Sequence, residues 1–270
     1  MIPALLGAAA VGCVAYGVLV EAHDFQVRRF TLPLLPTGAE PVRLLHISDL
    51  HLLPSQTRKR QFVRALTGLE PDLVVSTGDN ISAADSLPPL AEALSGLLKV
   101  PGVFVFGSND YKAPSMRNPL RYLVKNTRKA GPVRTDLPTE ELRSLFTDSG
   151  WQDLNDRRAD LTVNGTRFAF RGTDDGHEHR DDYSAVAGPQ VEGAVNVGVT
   201  HAPYLYLLDA MTADGMDLIL AGHTHGGQVC VPGYGALITN CDLPRDRAKG
   251  LFTHESADRT AQVHVSAGVG

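Results

Sequence analysis

The chain has 270 residues, which is enough for one large domain or two small ones with an apolar core. Its formal charge of −5 shows no basic excess, which argues against nucleic acid as a partner. Its three cysteines have the spacing of neither a zinc knuckle nor a disulfide framework. Buried free thiols are the favoured interpretation, with a Cys230–Cys241 pair as the alternative.

The N-terminal stretch contains no charged residue from position 2 to position 20, which is about the length of one membrane span. The sequence therefore favours an uncleaved membrane anchor over residues 1–22, with a cleaved signal peptide as the competing interpretation. Residues 23–41 are predicted to be a linker. Arg28 and Arg29 flank the span on its C-terminal side, but they leave the side of the membrane open.

Strand-like and helix-like stretches alternate from residue 42 to the end of the chain. Short apolar runs predict strands at 42–48, 73–77, 103–106, 168–171, 195–200 and 218–221. Amphipathic spacing predicts helices at 58–69, 90–98, 139–146 and 204–211. This alternation predicts one α/β domain over residues 42–270, built on a substantial sheet.

Carboxylate, amide and imidazole side chains follow five of the predicted strands. They are Asp49, His51, Asp79, Asn109, Asp110, His201, His223 and His225. Because a strand places residues i and i+2 on one side, each close pair can direct two ligands at one point. Ligands in α/β folds gather beyond the carboxyl ends of strands. The pattern therefore predicts one metal site assembled from distant parts of the chain.

The residue types indicate which metals this site would hold. Imidazole and carboxylate ligands without thiolate suit Mn, Fe, Zn, Ni or Co, and they do not form a closed structural zinc site. The candidates outnumber the ligands of one four-coordinate ion, and a carboxylate can bridge two ions. Two ions about 3.5–4 Å apart are a standard arrangement for hydrolysing phosphate esters. The sequence therefore predicts two divalent metal ions.

The same motifs resemble those of the calcineurin-like metallophosphoesterases, in matching order from about residue 42 to residue 227. The matching residues are Asp49-x-His51, Gly78-Asp79, the run 107–110, Thr200-His201 and Gly222-His223-Thr224-His225. With its N-terminal apolar stretch, the chain is similar to the membrane-associated bacterial branch of that family. The resemblance implies a four-layer β-sandwich flanked by helices, preceded by an N-terminal hydrophobic helix.

The resemblance also implies a ligand set and an activity. One metal would be coordinated by Asp49, His51, Asp79 and His225. The second would be coordinated by Asp79, Asn109, His201 and His223. Asp79 would bridge the two ions. The implied function is a dinuclear phosphohydrolase, either a phosphodiesterase or a pyrophosphatase, that uses a metal-bridging hydroxide. The membrane anchor suggests a lipid-linked or nucleotide phosphate as substrate.

One motif departs from the family pattern. Relatives usually have Gly-Asn-His-Asp or Gly-Asn-His-Glu, where this chain has Gly107-Ser108-Asn109-Asp110. We expect Asn109 to be the metal ligand because a serine hydroxyl is short and a poor neutral donor. Aligned without a gap, Ser108 takes the position of the family's metal-binding asparagine and Asn109 that of the histidine, whereas a one-residue shift keeps Asn109 as the ligand. The usual histidine is missing in both alignments, and an amide cannot transfer a proton. A catalytically weakened metal-binding or regulatory module is therefore the alternative function.

Three other residue groups carry predictions. His177, in a polar loop after a predicted strand, is a candidate substrate contact or proton donor, although a solvated surface loop is equally expected. His46 points away from the site by strand parity and is expected to be packed or paired. Residues 264–270 resemble a strand running into a glycine turn, which favours a sequence that stops before the domain is complete.

Overall fold

The computed structural model describes residues 24–114, 134–227, 229–231 and 235–269. The predicted anchor over residues 1–22 lies outside this part of the chain. Among the described residues, no helix is both long and apolar enough to cross a membrane. Cys241 is a part-buried free thiol.

Two main sheets and a short ribbon form the β-structure. The first sheet is wholly parallel and follows chain order: β1 (Leu44–Ile47), β2 (Leu73–Ser76), β3 (Gly102–Phe104) and β4 (Gln152–Asp153). The second has six strands: β5 (Arg157–Val163), β6 (Thr166–Gly172), β7 (Val195–Val199), β8 (Leu218–Ala221), β11 (Gly250–Ser256) and β12 (Arg259–Val265). The ribbon pairs β9 (Val229–Val231) with β10 (Gly235–Ile238).

The second sheet has the strand order β11-β12-β8-β7-β6-β5. Its four central strands run parallel, whereas β11 and β5 pair antiparallel with their neighbours at the two edges. The parallel strands of both sheets therefore end in loops that can converge at one end of the molecule.

A shared apolar core joins the two sheets face to face. Val75 and Val103 of the first sheet belong to the same buried cluster as Phe170 and Val197 of the second. Val74, which lies next to Val75, belongs instead to the cluster on the opposite face of the first sheet. This alternation follows from the two-residue period of a strand.

Helices cover the outer faces of both sheets. The first sheet is covered by α1 (Thr57–Ala65), α2 (Leu87–Leu94) and α4 (Thr139–Thr147). The second is covered by α5 (Leu205–Ala213), whose Leu208 and Met211 pack against Ile219 and Val263. In the described part of the chain, the remaining α-helix, α3, is the short turn Ser108–Tyr111. The predicted α/β fold is confirmed, and its layers run helix, sheet, sheet, helix.

The described part of the predicted linker, residues 24–41, forms no helix or strand. It nevertheless packs against the domain. Leu32 and Leu34 contact the core between the sheets, and the ring of Phe30 lies 5.2 Å from that of His264. The stretch therefore follows the surface of the sandwich.

The outer core of the first sheet includes a tight contact between a glycine and a tryptophan. Trp151 is fully buried, stacks on Phe146 at 5.1 Å, and donates its indole N–H to the Val100 carbonyl at 3.0 Å. A Cβ added at Gly102 would lie 2.6 Å from the indole atom Cε2. The indole is held on both sides, so only glycine fits at this point of β3.

We expect Gly102→Ala to lower the free energy of unfolding by about 1–3 kcal/mol, because overpacking forces buried groups to shift. Gly68→Ala is the matched control, since a Cβ there would meet nothing within 4 Å. That control should be neutral or slightly stabilising. Urea denaturation of the two variants and the wild type measures the difference. Equal stability of Gly102→Ala and the wild type would refute the tight contact.

Two histidines form a hydrogen-bonded pair between the sheets. His46 on β1 and His264 on β12 bring their Nδ1 atoms to 2.8 Å, and His46 Nε2 lies 2.9 Å from Thr77 Oγ1. The prediction that His46 is packed or paired is confirmed. Burial lowers the pKa of His264 to about 4 and the pKa of His46 well below its ordinary value. The bond between the two Nδ1 atoms requires at least one neutral ring.

This pair should make stability depend on pH. The unfolded chain takes up protons on these rings near the ordinary value of 6.5, whereas the folded chain protonates His264 only at about pH 4, and burial also holds the pKa of His46 well below its ordinary value. The free energy of unfolding should therefore fall as the pH drops from 6.5 towards 4. The slope is set by the extra protons that the unfolded chain binds relative to the folded chain, which number up to about two.

The pH dependence is measured as the unfolding free energy of the metal-free protein at several pH values between 4 and 7. His264→Leu should flatten the slope. His179→Asn is the control, because His179 is exposed and its φ of 55° is one that asparagine accepts. A slope that is the same in wild type, variant and control would rule out the pair as its source.

Candidate metal centre

Five of the predicted metal ligands have left-handed backbone conformations. Their φ angles are 50° at Asp49, 41° at His51, 56° at Asp79, 70° at His223 and 52° at His225. For a residue with a Cβ, this conformation costs about 1–2 kcal/mol. Such strain clusters at functional sites, where the surrounding structure holds it in place. In the turns after β1, β2 and β8, the left-handed conformation directs these side chains towards the centre.

Two glycines leave room for these side chains. A Cβ added at Gly107 would lie 2.6 Å from the His201 ring and would also collide with the Asp79 carboxylate. A Cβ at Gly222 would collide with Ser48 and Asp49. The glycines that flank the predicted ligands are therefore required by the close approach of the strand ends.

The first ligand cluster consists of Asp49, His51 and His225. The Nε2 atoms of His51 and His225 lie 3.1 Å apart, and their rings stack at 5.0 Å. Asp49 Oδ1 lies 3.4 Å from His225 Nε2 and 4.0 Å from His51 Nε2. Nitrogen and oxygen atoms this close together can share one ion bonded at about 2.0–2.2 Å.

The second ligand cluster consists of Asp49, Asp79 and His201. His201 Nε2 lies 3.6 Å from Asp79 Oδ2 and 3.3 Å from Nδ1 of His223. The same Asp79 oxygen lies 3.4 Å from His51 Nε2 of the first cluster. Asp79 therefore contacts ligands of both clusters.

Hydrogen bonds around the ligands fix their orientation. His201 Nδ1 lies 2.7 Å from the Thr77 carbonyl, which can only accept, so Nδ1 carries a hydrogen and Nε2 is the ring atom that faces the centre. The Asp49 carboxylate accepts hydrogen bonds from the Ser48 hydroxyl and from the His223 backbone N–H, the latter at 3.0 Å. These bonds hold one imidazole and one carboxylate in position before any ion binds.

A buried carboxylate, Asp110, braces the two loops of the first sheet. It accepts backbone N–H groups from Asp79 at 2.7 Å, Asn80 at 2.7 Å and Gly107 at 3.0 Å. Burial and the charge of Asp79 raise the pKa of Asp110 to about 7, and the N–H donors oppose this rise. The sequence placed Asp110 in the motif but gave no signal of this bracing role.

The electrostatics of the centre follow from its buried carboxylates. Burial opposes protonation of His201, but Asp79 and Asp49 outweigh it and raise the pKa of His201 to about 9. Burial likewise opposes ionisation of Asp79, but His201 and His51 hold its pKa well below the ordinary range. Burial and the charge of His201 lower the pKa of His223 to about 3. The centre therefore attracts one positive charge and resists a second imidazolium.

Asn109, a predicted ligand, presents its amide nitrogen to the centre. Its Nδ2 donates to Asp79 Oδ2 at 2.6 Å, and its backbone N–H donates to Asp79 Oδ1 at 2.7 Å. Its Oδ1, the atom expected to bind metal, accepts from Arg134 Nη2 at 2.7 Å. Arg134 was missed by the sequence analysis because it lies far along the chain from every motif.

The loop that contains His177 reaches the centre. The His177 ring lies 4.6 Å from that of His223, and His177 Nδ1 lies 3.0 Å from the Tyr204 hydroxyl. Buried Asp175 holds the loop by accepting the backbone N–H groups of His177 and Glu178, both at 3.1 Å. Burial raises the pKa of Asp175 to about 6.

Asn240 is a second residue beside the centre that the sequence analysis missed. Its backbone carbonyl oxygen lies 3.3 Å from Nε2 of His223. The other ring nitrogen of His223, Nδ1, is the one that contacts His201. It lies in an irregular stretch after β10 and belongs to none of the motifs, so no sequence signal pointed to it.

Comparisons with known proteins agree with this architecture. The family model for calcineurin-like phosphoesterases matches residues 42–227. YpbG of Bacillus subtilis strain 168 is 26% identical over 217 residues, which cover 80% of this chain and 71% of YpbG. YkuE, a metallophosphoesterase by name from the same organism, is 24% identical over 250 residues, which cover 87% of this chain and 79% of YkuE.

A Bos taurus protein named as a transmembrane protein with a metallophosphoesterase domain is 25% identical over 238 residues, covering 83% of this chain and 50% of that protein. Among solved structures, a 5'-nucleotidase precursor from Thermus thermophilus is 13% identical with a TM-score of 0.45, covering 84% of this chain and 49% of its own. A dimetal phosphatase from Danio rerio is 11% identical with a TM-score of 0.44, covering 85% and 88%.

Both TM-scores lie below 0.5, which is too low to bear on function. The family match instead covers most of the chain and includes the strand ends that carry the ligand clusters. The resemblance that the motifs indicated is confirmed, and the curated relatives include bacterial proteins. The chain belongs to the calcineurin-like phosphoesterase family and is a phosphoesterase hydrolase.

Proposed function

We propose that the protein is a dinuclear metal-dependent phosphohydrolase that cleaves phosphodiesters or pyrophosphates. The observation that carries the proposal is the position of Asp79. Its Oδ2 atom lies 3.4 Å from His51 Nε2 and 3.6 Å from His201 Nε2, so one carboxylate contacts ligands of two clusters. A carboxylate in this position suits a bridge between two ions.

The donor set fits two divalent ions. Two carboxylates and four imidazoles suit Mn, Fe, Zn, Ni or Co, and they are supplied by Asp49, His51, Asp79, His201, His223 and His225. Asp49, His51 and His225 would hold the first ion, and His201 and His223 the second, with Asp79 shared. Two ions bound there would supply an activated water as nucleophile and would offset the charge of the phosphate.

The protein's own groups define what surrounds the reacting phosphate. His201 must give up the proton on Nε2 before that atom can bind a metal, whereas Nδ1 keeps its hydrogen and donates it to the Thr77 carbonyl. The ring of His177 lies 4.6 Å from that of His223, and His177 belongs to neither ligand cluster. We assign His177 the role of a substrate contact, with its ring as the candidate proton donor to the leaving oxygen.

A membrane-associated location is a further part of the proposal. The apolar stretch at residues 2–20 has the length of one span, and one relative is named as a transmembrane protein. A single N-terminal span would keep the enzyme near lipid-linked phosphates, while nucleotide phosphates are the alternative substrate class. The side of the membrane is left open by both observations.

The central test is Asp79→Asn, assayed with an aryl phosphodiester and added Mn²⁺. We expect turnover to fall by at least about 100-fold, because the variant loses the shared negative ligand and therefore bound metal. Asp160→Asn is the control: the substitution is the same, but Asp160 is exposed and forms only a surface ion pair with Arg167. Equal rates in Asp79→Asn and the wild type would refute the proposal.

A catalytically weakened metal-binding or regulatory module is the second candidate function. Asn109 favours it, because the family usually has a histidine in this motif and an amide transfers no proton. If the protein is such a module, it should turn over phosphate esters poorly even when metal is bound. A metal content of less than one ion per chain would also favour this candidate.

The double variant Ser108→Asn with Asn109→His separates the two candidates. If only the proton donor is missing, restoring the family motif should raise turnover by about tenfold or more, since general acids contribute about 10²–10⁴. The measurement is kcat on a phosphomonoester, a phosphodiester and a pyrophosphate, alongside metal content. No turnover of any of these substrates by wild type or double variant would favour the module. A preference for the monoester would contradict the proposed substrate class.

A further inference from the structure

We propose that Asn109 serves the metal centre as a hydrogen-bond donor through Nδ2, and that Arg134 is the positioning residue that holds it in this orientation. The inference rests on the proposed function and replaces the expectation that the Asn109 oxygen binds metal.

The partners of the Asn109 amide fix which end faces the centre. Its Oδ1 lies 2.7 Å from a guanidinium nitrogen of Arg134, which can only donate. Its Nδ2 lies 2.6 Å from the Asp79 carboxylate, which accepts when ionised. If the amide were rotated by 180°, its NH₂ group would face the Arg134 donor and its oxygen would face the Asp79 acceptor. The orientation seen is therefore the one in which both ends of the amide form hydrogen bonds.

Arg134 is itself held from several sides. Its Nε donates to the Ala113 carbonyl at 3.0 Å, Nη1 to Glu178 at 2.8 Å, and Nη2 also to the Lys112 carbonyl at 2.6 Å. The side chain is only 14% exposed. Because all three nitrogens have protein partners, the guanidinium acts on the centre through Asn109.

Asn109 donates hydrogen bonds to both carboxylate oxygens of Asp79, one from the backbone N–H and one from Nδ2. An amide nitrogen carries two hydrogens, and Asp79 takes one, which leaves the other for a phosphate oxygen. The second ion would then have three protein ligands, Asp79, His201 and His223. Three ligands and an open position are typical of a catalytic metal site.

The test compares metal content and turnover in Asn109→Ala. We expect the variant to keep the wild-type number of ions per chain, measured by elemental analysis after dialysis, while kcat on an aryl phosphodiester falls by about 10–100-fold. His223→Ala is the matched control for the loss of a ligand and should lose metal. Asn109 is part-exposed, so its truncation leaves no sealed cavity.

Arg134→Ala tests the positioning role. Its kcat should fall while its metal content stays at the wild-type value, and the double variant Asn109→Ala with Arg134→Ala should be no slower than Asn109→Ala alone. A merely structural role for Arg134 would make the two losses additive, which would overturn its assignment.

Asn109→Asp provides a second variant if Asn109→Ala proves unfolded by circular dichroism. It keeps the shape and an oxygen for Arg134, but it places an oxygen with no hydrogen where Nδ2 faced Asp79, so it should lose turnover. Wild-type turnover in Asn109→Asp, or loss of about one ion in Asn109→Ala, would overturn the inference. A wild type that binds no ions and turns over no substrate would instead refute the proposed function itself.

Discussion

Two buried carboxylates, Asp49 and Asp79, set the constraint on which the site depends. Both are almost completely shielded from water, and an uncompensated buried charge is strongly destabilising. In the structure this charge is balanced by the raised proton affinity of His201 and by N–H donors from neighbouring backbone. The same negative potential would attract divalent cations, so folding and the proposed metal binding would depend on one electrostatic feature.

The sandwich makes this feature possible because neither sheet supplies the centre alone. Asp49 and Asp79 follow strands of the first sheet, whereas His201 and His223 follow strands of the second. The apolar core between the sheets fixes the distance between these two groups of side chains. A substitution in that core that shifted one sheet against the other would separate ligands that lie about 3–4 Å apart, so core packing and chemistry are linked.

The sequence predicted those parts of the molecule that depend on local pattern. Apolar runs ending in Asp or His marked β1, β2, β7 and β8, because buried parallel strands and their polar ends are both visible in the chain. The edge strands β5 and β11 were missed, since each has only one buried residue, Val163 and His254 respectively, and neither forms a long apolar run. Arg134 and Asn240 were missed because only tertiary contacts bring them to the centre.

Protonation limits what the proposed centre can do for a leaving group. His201 donates its Nδ1 hydrogen to the Thr77 carbonyl, and its Nε2 would bind the second ion, so neither nitrogen would be available to protonate an oxygen. Asn109 can donate a hydrogen bond but cannot release a proton. His177 is the proposed proton donor, and its ring lies 4.6 Å from that of His223. In the proposed function, leaving groups that depart readily as anions, such as nucleotide and pyrophosphate groups, would need the least protonation from His177.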